Sequence, residues 1–227
     1  GHAAHMNEIM AIADKYKLKI IEDNAESIGA RYKGKLLGTF GDVSTYSFFS
    51  NKIITTGGGG MILTDDVELA DKARYLTTQA KDDSVRYIHD EIGYNFRLTN
   101  IQAALGVAQL EQLPVFLKRK HEIFSQYQTA FDNIAGLSLA GVPDYADNNH
   151  WMNLLQINKE TYGHDREMLM THLEQNGIQS RPVWSLNHLQ KPYETCQMYH
   201  IEKADKLVKQ SLCLPSSSNL KESEIQK

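Results

Sequence analysis

A lysine between two apolar segments, followed by four consecutive glycines, limits most strongly how this chain folds. Residues 43–49 are rich in β-branched and aromatic side chains, and residues 61–63 are apolar again, so each segment predicts a β-strand. Lys52 then lies in a turn at the end of the first strand, and glycines 57–60 form a loop that leads into the second. The glycines do not form a P-loop, because no Lys-Ser or Lys-Thr pair follows them.

Lys52 has two interpretations at this point. Lysine amines are protonated at neutral pH and are poor nucleophiles, so Schiff-base chemistry requires a setting that removes the amine from water. Apolar strands and a tight glycine loop provide such a setting. The alternative is an ordinary surface lysine beside a flexible loop, and spacing alone favours that alternative.

The composition of the chain is that of an ordinary globular protein. Its 227 residues are 41% apolar and 23% charged, which suits one large domain or two smaller ones. The net charge of -4 gives no electrostatic reason to expect nucleic acid as a partner, and no segment is apolar enough to predict a membrane span. Cys196 and Cys213 are far apart and lack zinc-site spacing, so we expect neither a disulfide framework nor a metal site. Free cysteines of this kind fit a protein of the reducing cytoplasm best.

Two acids follow a short apolar segment near the start of the chain. The periodicity predicts a helix at 7–17 and a buried strand at 18–21, and Glu22 and Asp23 then stand at the carboxyl end of that strand. Open parallel sheets bind their ligands at this edge, so Asp23 is a second candidate site residue. The alternative for Asp23 is a helix N-cap.

The next segments continue an alternation of helices and strands. Asp65 and Glu68 predict a capping-box-like start for a helix at 67–78, whereas residues 79–98 are irregular and indicate a functional or disordered loop. This alternation is typical of an α/β sheet domain.

Pro114 interrupts the helical pattern of the second half. Thr99 and Gln102 predict the cap of a helix, and after Pro114 the apolar pattern resumes at 115–131, so we expect a domain boundary near Pro114. The later elements predicted are a strand at 154–157 and helices at 165–176 and 201–212.

Three segments taken together resemble the DegT/DnrJ/StrS-type nucleotide-sugar aminotransferases: EDNAES at 22–27, GTFGDVSTYSFFSNKIITTGGGGMILTDD at 38–66 and GYNFRLTNIQAALGVAQLEQL at 93–113. The resemblance implies an α/β fold of the pyridoxal-phosphate-dependent fold type I, which is aspartate-aminotransferase-like. Residues 1–114 then form the C-terminal part of the large parallel or mixed-sheet domain, and residues 115–227 an incomplete small α+β domain. It also implies a fragment, which we expect to be unstable or inactive alone because its sheet would expose long edges.

The resemblance assigns the cofactor roles residue by residue. Lys52 matches the lysine that forms a Schiff base with pyridoxal 5'-phosphate, and Asp23 matches the acid that pairs with the pyridine nitrogen. Ser47 matches a serine that binds the cofactor phosphate, and Glu26 stands near the ring hydroxyl. Asn95 matches an asparagine that reaches the cofactor phosphate of the neighbouring subunit, which implies a homodimer with a shared active site; a loop cap is its alternative.

Residues 178–188 resemble a segment that lies over the sugar-nucleotide site. Arg181 is a candidate to bind a diphosphate, and Trp184 and His188 are candidates to line the sugar pocket. The alternatives, which the sequence favours equally, are that Arg181 is an ordinary surface arginine and that the two aromatic residues belong to the core.

The implied reaction is amino transfer, usually from glutamate, to C4 of a 4-keto-6-deoxy nucleotide sugar in surface-glycan synthesis. NKIITTGGGGMILTDD, followed by TTQAKDD and EIGYN, is similar to the subgroup acting on UDP-2-acetamido-2,6-dideoxy-4-hexulose. A GDP-perosamine-type synthase is the alternative. A dehydratase would favour another residue in place of Lys52, and a silent binding module would be expected to have lost Lys52 or Asp23.

Overall fold

The computed structural model describes residues 1–227, which divide into two compact units. The first unit comprises Gly1–Lys118 and Val142–Trp151, and the second comprises Arg119–Gly141 and Met152–Lys227. A domain boundary near Pro114 stays a prediction for the whole protein. None of the helices combines the length and the apolar composition needed to cross a membrane.

The helices and strands follow one another along the chain in this order: α1 (Met6–Tyr16), β1 (Ile21–Asp23), β2 (Arg31–Tyr32), β3 (Lys35–Leu36), β4 (Val43–Ser47), β5 (Gly60–Leu63), α2 (Val67–Thr77), α3 (Asn100–Glu111), α4 (Leu113–Phe131), β6 (Leu137–Leu139), β7 (Ala146–Asp147), β8 (Asn153–Ile157), α5 (Lys159–Tyr162), α6 (Arg166–Gln175), β9 (Arg181–Pro182), α7 (Glu202–Gln210), β10 (Ser211–Leu214) and α8 (Glu222–Ile225). Two short 3-10 helices, Asn187–Leu189 and Lys191–Tyr193, lie between β9 and α7.

The first unit is built on a mixed three-stranded sheet. Its order is β1-β4-β5, with β1 parallel to β4 and β4 antiparallel to β5. A second, smaller sheet has the order β3-β2-β7. Its central strand contributes Tyr32, which packs in a cluster with Ala3, Met6, Ala30 and Leu37. The lysine turn and the glycine loop both lie between β4 and β5, as the sequence predicts.

The first strand begins later than the sequence predicts. Lys17 ends α1 in the left-handed conformation, and the Leu18 N–H bonds back to the Ala13 carbonyl, so the chain is still leaving the helix at the position predicted as strand. The strand instead contains Glu22 and Asp23, and Ile21 is 71% exposed rather than buried. The prediction of a buried strand at 18–21 is therefore wrong.

The helix caps agree with the sequence except at α2. Asp66, not Asp65, caps α2, and its side chain accepts the N–H groups of Glu68 and Leu69. The capping box of Thr99 and Gln102 at the start of α3 is confirmed. Helix α4 begins just before Pro114, where a residue without an N–H costs the helix no hydrogen bond.

The second unit packs helices against an antiparallel sheet of order β6-β8-β10-β9. Its core cluster consists of Ile123, Tyr127, Leu155, Ile157, Leu212 and Leu214. The helix predicted at 201–212 ends at Gln210, because Ser211–Leu214 forms β10, a central strand with every residue buried. A strand buried on both faces lacks the alternation that distinguishes it from the end of a helix.

Candidate active site

Two of the predicted site residues lie on one face at one edge of the first sheet. Strands β1 and β4 are parallel, with Asp23 paired with Thr45, so their carboxyl ends meet at the same edge. Side chains alternate along a strand, and paired residues point to the same face. Asp23, Thr45 and Ser47 therefore share a face, and Ser47 is the last residue of β4.

Asp23 has carboxylate capacity left for a ligand. The side chain is exposed, and Oδ1 accepts the N–H of Ala25 at 3.0 Å. Its second oxygen, Oδ2, makes no hydrogen bond within residues 1–227. The predicted helix N-cap role is not observed, because the residues after Asp23 form turns and not a helix.

The Lys52 side chain is enclosed next to a carboxylate and an indole ring. The Lys52 N–H donates to the Phe49 carbonyl at 3.1 Å, which closes the turn after β4. The amine Nζ lies 3.3 Å from Glu26 Oε1 and 4.1 Å from the centroid of the Trp151 ring. Only 13% of the side chain is exposed. The alternative of an ordinary surface lysine is therefore wrong.

The glycine loop has a specified conformation. Gly57 and Gly59 have φ of +78° and +98°, in the left-handed region that other residues rarely adopt. A Cβ on Gly60 would lie 2.5 Å from the Tyr46 carbonyl oxygen, in the neighbouring strand. Larger residues at these positions would therefore disturb the connection between β4 and β5.

Glu22, the neighbour of Asp23, is an internal anchor. The residue is 9% exposed, and its carboxylate accepts three backbone N–H groups at 2.7 Å, from Gly38, Phe40 and Gly41. Burial, and then the nearby Glu22 charge, raise the pKa of Tyr46 above its usual value. Of the two acids that the sequence places at this edge, only Asp23 remains open to a ligand.

Residues 142–151 contribute two side chains to this site that no sequence pattern predicts. The Asn149 amide donates to the Glu26 and Ile28 carbonyl oxygens at 2.9 and 3.1 Å. The Trp151 indole N–H donates to the Asn51 carbonyl oxygen at 2.7 Å. These contacts span about a hundred residues of chain, and no local pattern signals them.

Asn95 lies elsewhere in the first unit. It is exposed and forms an isolated antiparallel bridge with Thr78, and no hydrogen bond joins it to Lys52 or Asp23. Its loop is held on α2 by contacts such as the hydrogen bond from the Tyr75 hydroxyl to Asp82 Oδ2 at 2.8 Å. Residues 79–98 thus form a loop without a helix or strand of their own that is hydrogen-bonded to α2.

The three predicted substrate residues belong to the second unit. Arg181 is exposed and pairs with Cys213 across β9 and β10. Trp184 is 58% exposed and so is not a core aromatic. His188 lines an open pocket of about 450 Å³ together with Tyr193 and Cys196, whereas Arg181 and Trp184 do not line it.

The comparisons with known proteins identify the family. Residues 1–227 match the sequence model of the DegT/DnrJ/EryC1/StrS aminotransferase family. The chain belongs to this family. The prediction of the family from the sequence is thereby confirmed.

Individual relatives and a solved structure of a DegT/DnrJ/EryC1/StrS aminotransferase are similar to this chain over almost its whole length. It is 39% identical to the putative pyridoxal phosphate-dependent aminotransferase EpsN of Bacillus subtilis, covering 99% of this chain and 58% of EpsN. It is also 39% identical to the GDP-perosamine synthase of Escherichia coli O157:H7, covering 99% of this chain and 60% of that enzyme. A family member from Brucella abortus superposes with a TM-score of 0.87 at 28% identity, covering 99% and 59% of the two chains.

These likenesses confirm the predicted fold class and cofactor of the family. The fold is the mixed α/β fold type I of pyridoxal-phosphate-dependent sugar aminotransferases. The chain spans 58% and 60% of the lengths of EpsN and of the Escherichia coli synthase.

Proposed function

We propose that the protein containing these residues is a pyridoxal-phosphate-dependent nucleotide-sugar aminotransferase in which Lys52 holds the cofactor. The observation that carries the proposal is the enclosed Lys52 amine, in the turn directly after the strand that ends at Ser47, beside the strand that ends at Asp23. Family membership supports the same reaction class.

The groups at this edge fit the cofactor by their chemistry. An amine is required for its aldehyde, a carboxylate for its protonated ring nitrogen and a hydroxyl for its phosphate, and Lys52, Asp23 and Ser47 supply them. Asp23 has its whole Oδ2 atom available for this contact, whereas Oδ1 already accepts the Ala25 N–H. When bound, pyridoxal phosphate supplies an electron sink next to the α-carbon of an amino acid.

Lys52 also moves the proton in this proposal. Its amine takes the proton from the α-carbon of the donor amino acid and returns it at the cofactor carbon, which requires a mobile but enclosed base. Glu26 Oε1, at 3.3 Å, orients the amine between these positions. We therefore assign Glu26 to the amine as well as to the ring hydroxyl that the resemblance implies.

The acceptor we propose is a 4-keto-6-deoxy nucleotide sugar, with glutamate as donor. The match of residues 51–66, 77–83 and 91–95 to the UDP-sugar subgroup favours UDP-2-acetamido-2,6-dideoxy-4-hexulose. A GDP-linked sugar is the second candidate, because GDP-perosamine synthases from Escherichia coli and Vibrio cholerae are 39% and 40% identical to this chain.

The remaining assignments concern partners. Asn95 is proposed to serve the active site of a second subunit in a homodimer. Two observations support this role: Asn95 is exposed, and it makes no hydrogen bond to Lys52 or Asp23 of its own chain. Arg181, Trp184 and His188 are proposed to bind the nucleotide sugar, and the exposed guanidinium of Arg181 suits a diphosphate. A cytoplasmic location remains a prediction.

The test uses the full-length protein with added pyridoxal phosphate. We expect a visible absorption band that borohydride removes, with the cofactor then found on Lys52 by mass spectrometry. The Lys52→Ala variant should lack the band, whereas Lys19→Ala, at an exposed lysine of the same unit, should retain it. A folded wild type without a trapped cofactor would contradict the proposal.

A second arm identifies the acceptor. Loaded enzyme and glutamate are incubated separately with UDP- and GDP-linked 4-keto-6-deoxy sugars, and the amino sugar product is measured by mass spectrometry. Faster turnover of the UDP-2-acetamido sugar supports the first candidate. Faster turnover of the GDP sugar overturns that choice and supports the second.

A further inference from the structure

An indole ring covers one side of the Lys52 amine. Trp151 is 5% exposed, and its ring centroid lies 4.1 Å from Lys52 Nζ. The same indole donates its N–H to the Asn51 carbonyl oxygen at 2.7 Å. One side chain therefore contacts both the backbone of the lysine turn and the end of the lysine side chain.

The segment that carries this indole also holds the backbone of Glu26, the residue that pairs with the amine. Asn149 is 1% exposed, and its Nδ2 donates to the Glu26 carbonyl oxygen at 2.9 Å. Its Oδ1 accepts the Trp151 backbone N–H at 3.1 Å, which links the two residues within one turn. The backbone of Glu26 is therefore held to the segment that carries the indole, and the amine contacts both the Glu26 side chain and the indole face.

We propose that Trp151 is a positioning residue for Lys52, with its indole N–H fixing the lysine turn and its ring face holding the amine beside Glu26. The inference rests on the proposed role of Lys52 and adds a residue to it. The face of an aromatic ring attracts a cation, so the protonated amine of Lys52 has a defined resting position before it bonds to the cofactor. Without that position, the four-carbon side chain would sample many rotamers before each attack.

The proposal predicts that two reactions of Lys52 change in opposite directions when the ring is lost. Productive capture of the cofactor slows, because the amine is no longer held in one orientation. Acylation of Lys52 by a small, uncharged, amine-reactive reagent becomes faster, because the indole that keeps the side chain only 13% exposed in the wild type is lost. A variant that only loosens the fold would speed labelling of buried lysines generally and would not single out Lys52.

The experiment compares Trp151→Leu and Trp151→Phe with wild type in the full-length protein. Both variants lack the indole N–H, but only the leucine variant lacks an aromatic face. Leu155→Ala is the stability control, since Leu155 belongs to the core of the second unit. Cofactor capture is measured by timed borohydride trapping on Lys52. Reagent labelling is measured by mass spectrometry in protein without cofactor, as the ratio of Lys52 to the exposed Lys19, and the ratio of the buried Lys120 to Lys19 reports general loosening.

We expect Trp151→Leu to slow trapping on the order of tenfold while raising the labelling ratio, with Trp151→Phe between it and wild type. Leu155→Ala should change neither quantity at a temperature where it is folded. Wild-type trapping by Trp151→Leu, or an unchanged labelling ratio, overturns the inference. If wild type itself traps no cofactor, the proposed function fails, and the labelling ratio still decides whether Trp151 positions the amine.

Discussion

The Nζ of Lys52 lies 3.3 Å from Glu26 Oε1, although the two residues are 26 positions apart in the chain. Their side chains are 13% and 51% exposed, so one partner of the ion pair remains in contact with water. Ion pairs with an exposed partner contribute at most about 1 kcal/mol to stability. The contact therefore orients the amine more than it stabilises the fold.

Replacement of Glu26 by glutamine should have a small effect. The amide oxygen of the new side chain can still accept a hydrogen bond from the amine, but the charge is lost, so we expect cofactor affinity to fall by less than about tenfold. The free energy of unfolding should change by about 0.5 kcal/mol or less. Titration with pyridoxal phosphate and urea unfolding measure the two effects. A hundredfold loss of affinity would show that the carboxylate charge itself is required.

Glu22→Gln should destabilise the protein far more than Glu26→Gln, although it also removes one charge. The Glu22 carboxylate accepts three backbone N–H groups in a buried position. An amide has only one oxygen, and its NH₂ group would face a backbone donor, so we expect a loss of about 3 kcal/mol in urea unfolding. Glu111→Gln, at an exposed position near the end of α3, is the matched control and should be nearly neutral. Equal effects at both positions would contradict the anchoring role.

Local chemistry in the sequence is sufficient to predict much of the first sheet and its turns. The alternation of apolar strands, the Lys52 turn and the glycine loop was correct because each depends on neighbouring residues. The capping box at Thr99 likewise needs only residues three apart. The position of Asp23 at the end of a strand likewise needs only the apolar residues that precede it.

Long-range packing decided what the sequence missed. Glu22 and Asp23 are adjacent and chemically alike, and only the pairing of β1 with β4 and the turn at 38–41 separates an anchor from an open carboxylate. Trp151 reaches the lysine turn from a hundred residues away. In the second unit, residues 211 and 212 of the predicted helix belong to β10 instead, because β8 and β9 pair with that strand on its two sides.

Lys120 should make the stability of the protein depend on alkaline pH. Burial lowers the pKa of this lysine from 10.5 to about 8, and its amine donates to the carbonyl oxygen of Ser216 and, at 3.0 Å, to the Ser216 hydroxyl. Between pH 8 and 10.5 the unfolded chain retains a proton that the folded protein has released, so the folded state gains stability as pH rises. The gain amounts to about 3 kcal/mol.

The measurement is urea unfolding of wild type and Lys120→Met across this pH range. The stability of wild type relative to the variant should rise with pH. Burial also raises the pKa of Tyr127, to about 12, but Tyr127 is present in both proteins and its effect cancels. Lys118→Met, at an exposed lysine two residues away, should show no such rise. A flat difference for Lys120→Met would mean that the amine keeps its proton in the folded protein.

Mixing two inactive variants should restore activity if Asn95 serves the neighbouring subunit. Lys52→Ala removes the amine from its own site, whereas Asn95→Ala would impair the site of the partner. In a mixed dimer both substitutions then fall on the same active site, and the other site is intact. Random exchange of subunits makes about half of the dimers mixed, so we expect about a quarter of wild-type activity.

The assay is amino sugar formation before and after subunit exchange of full-length variants, with each variant alone as control. If Asn95 acted within its own subunit, every mixed dimer would contain two impaired sites, and mixing would restore nothing.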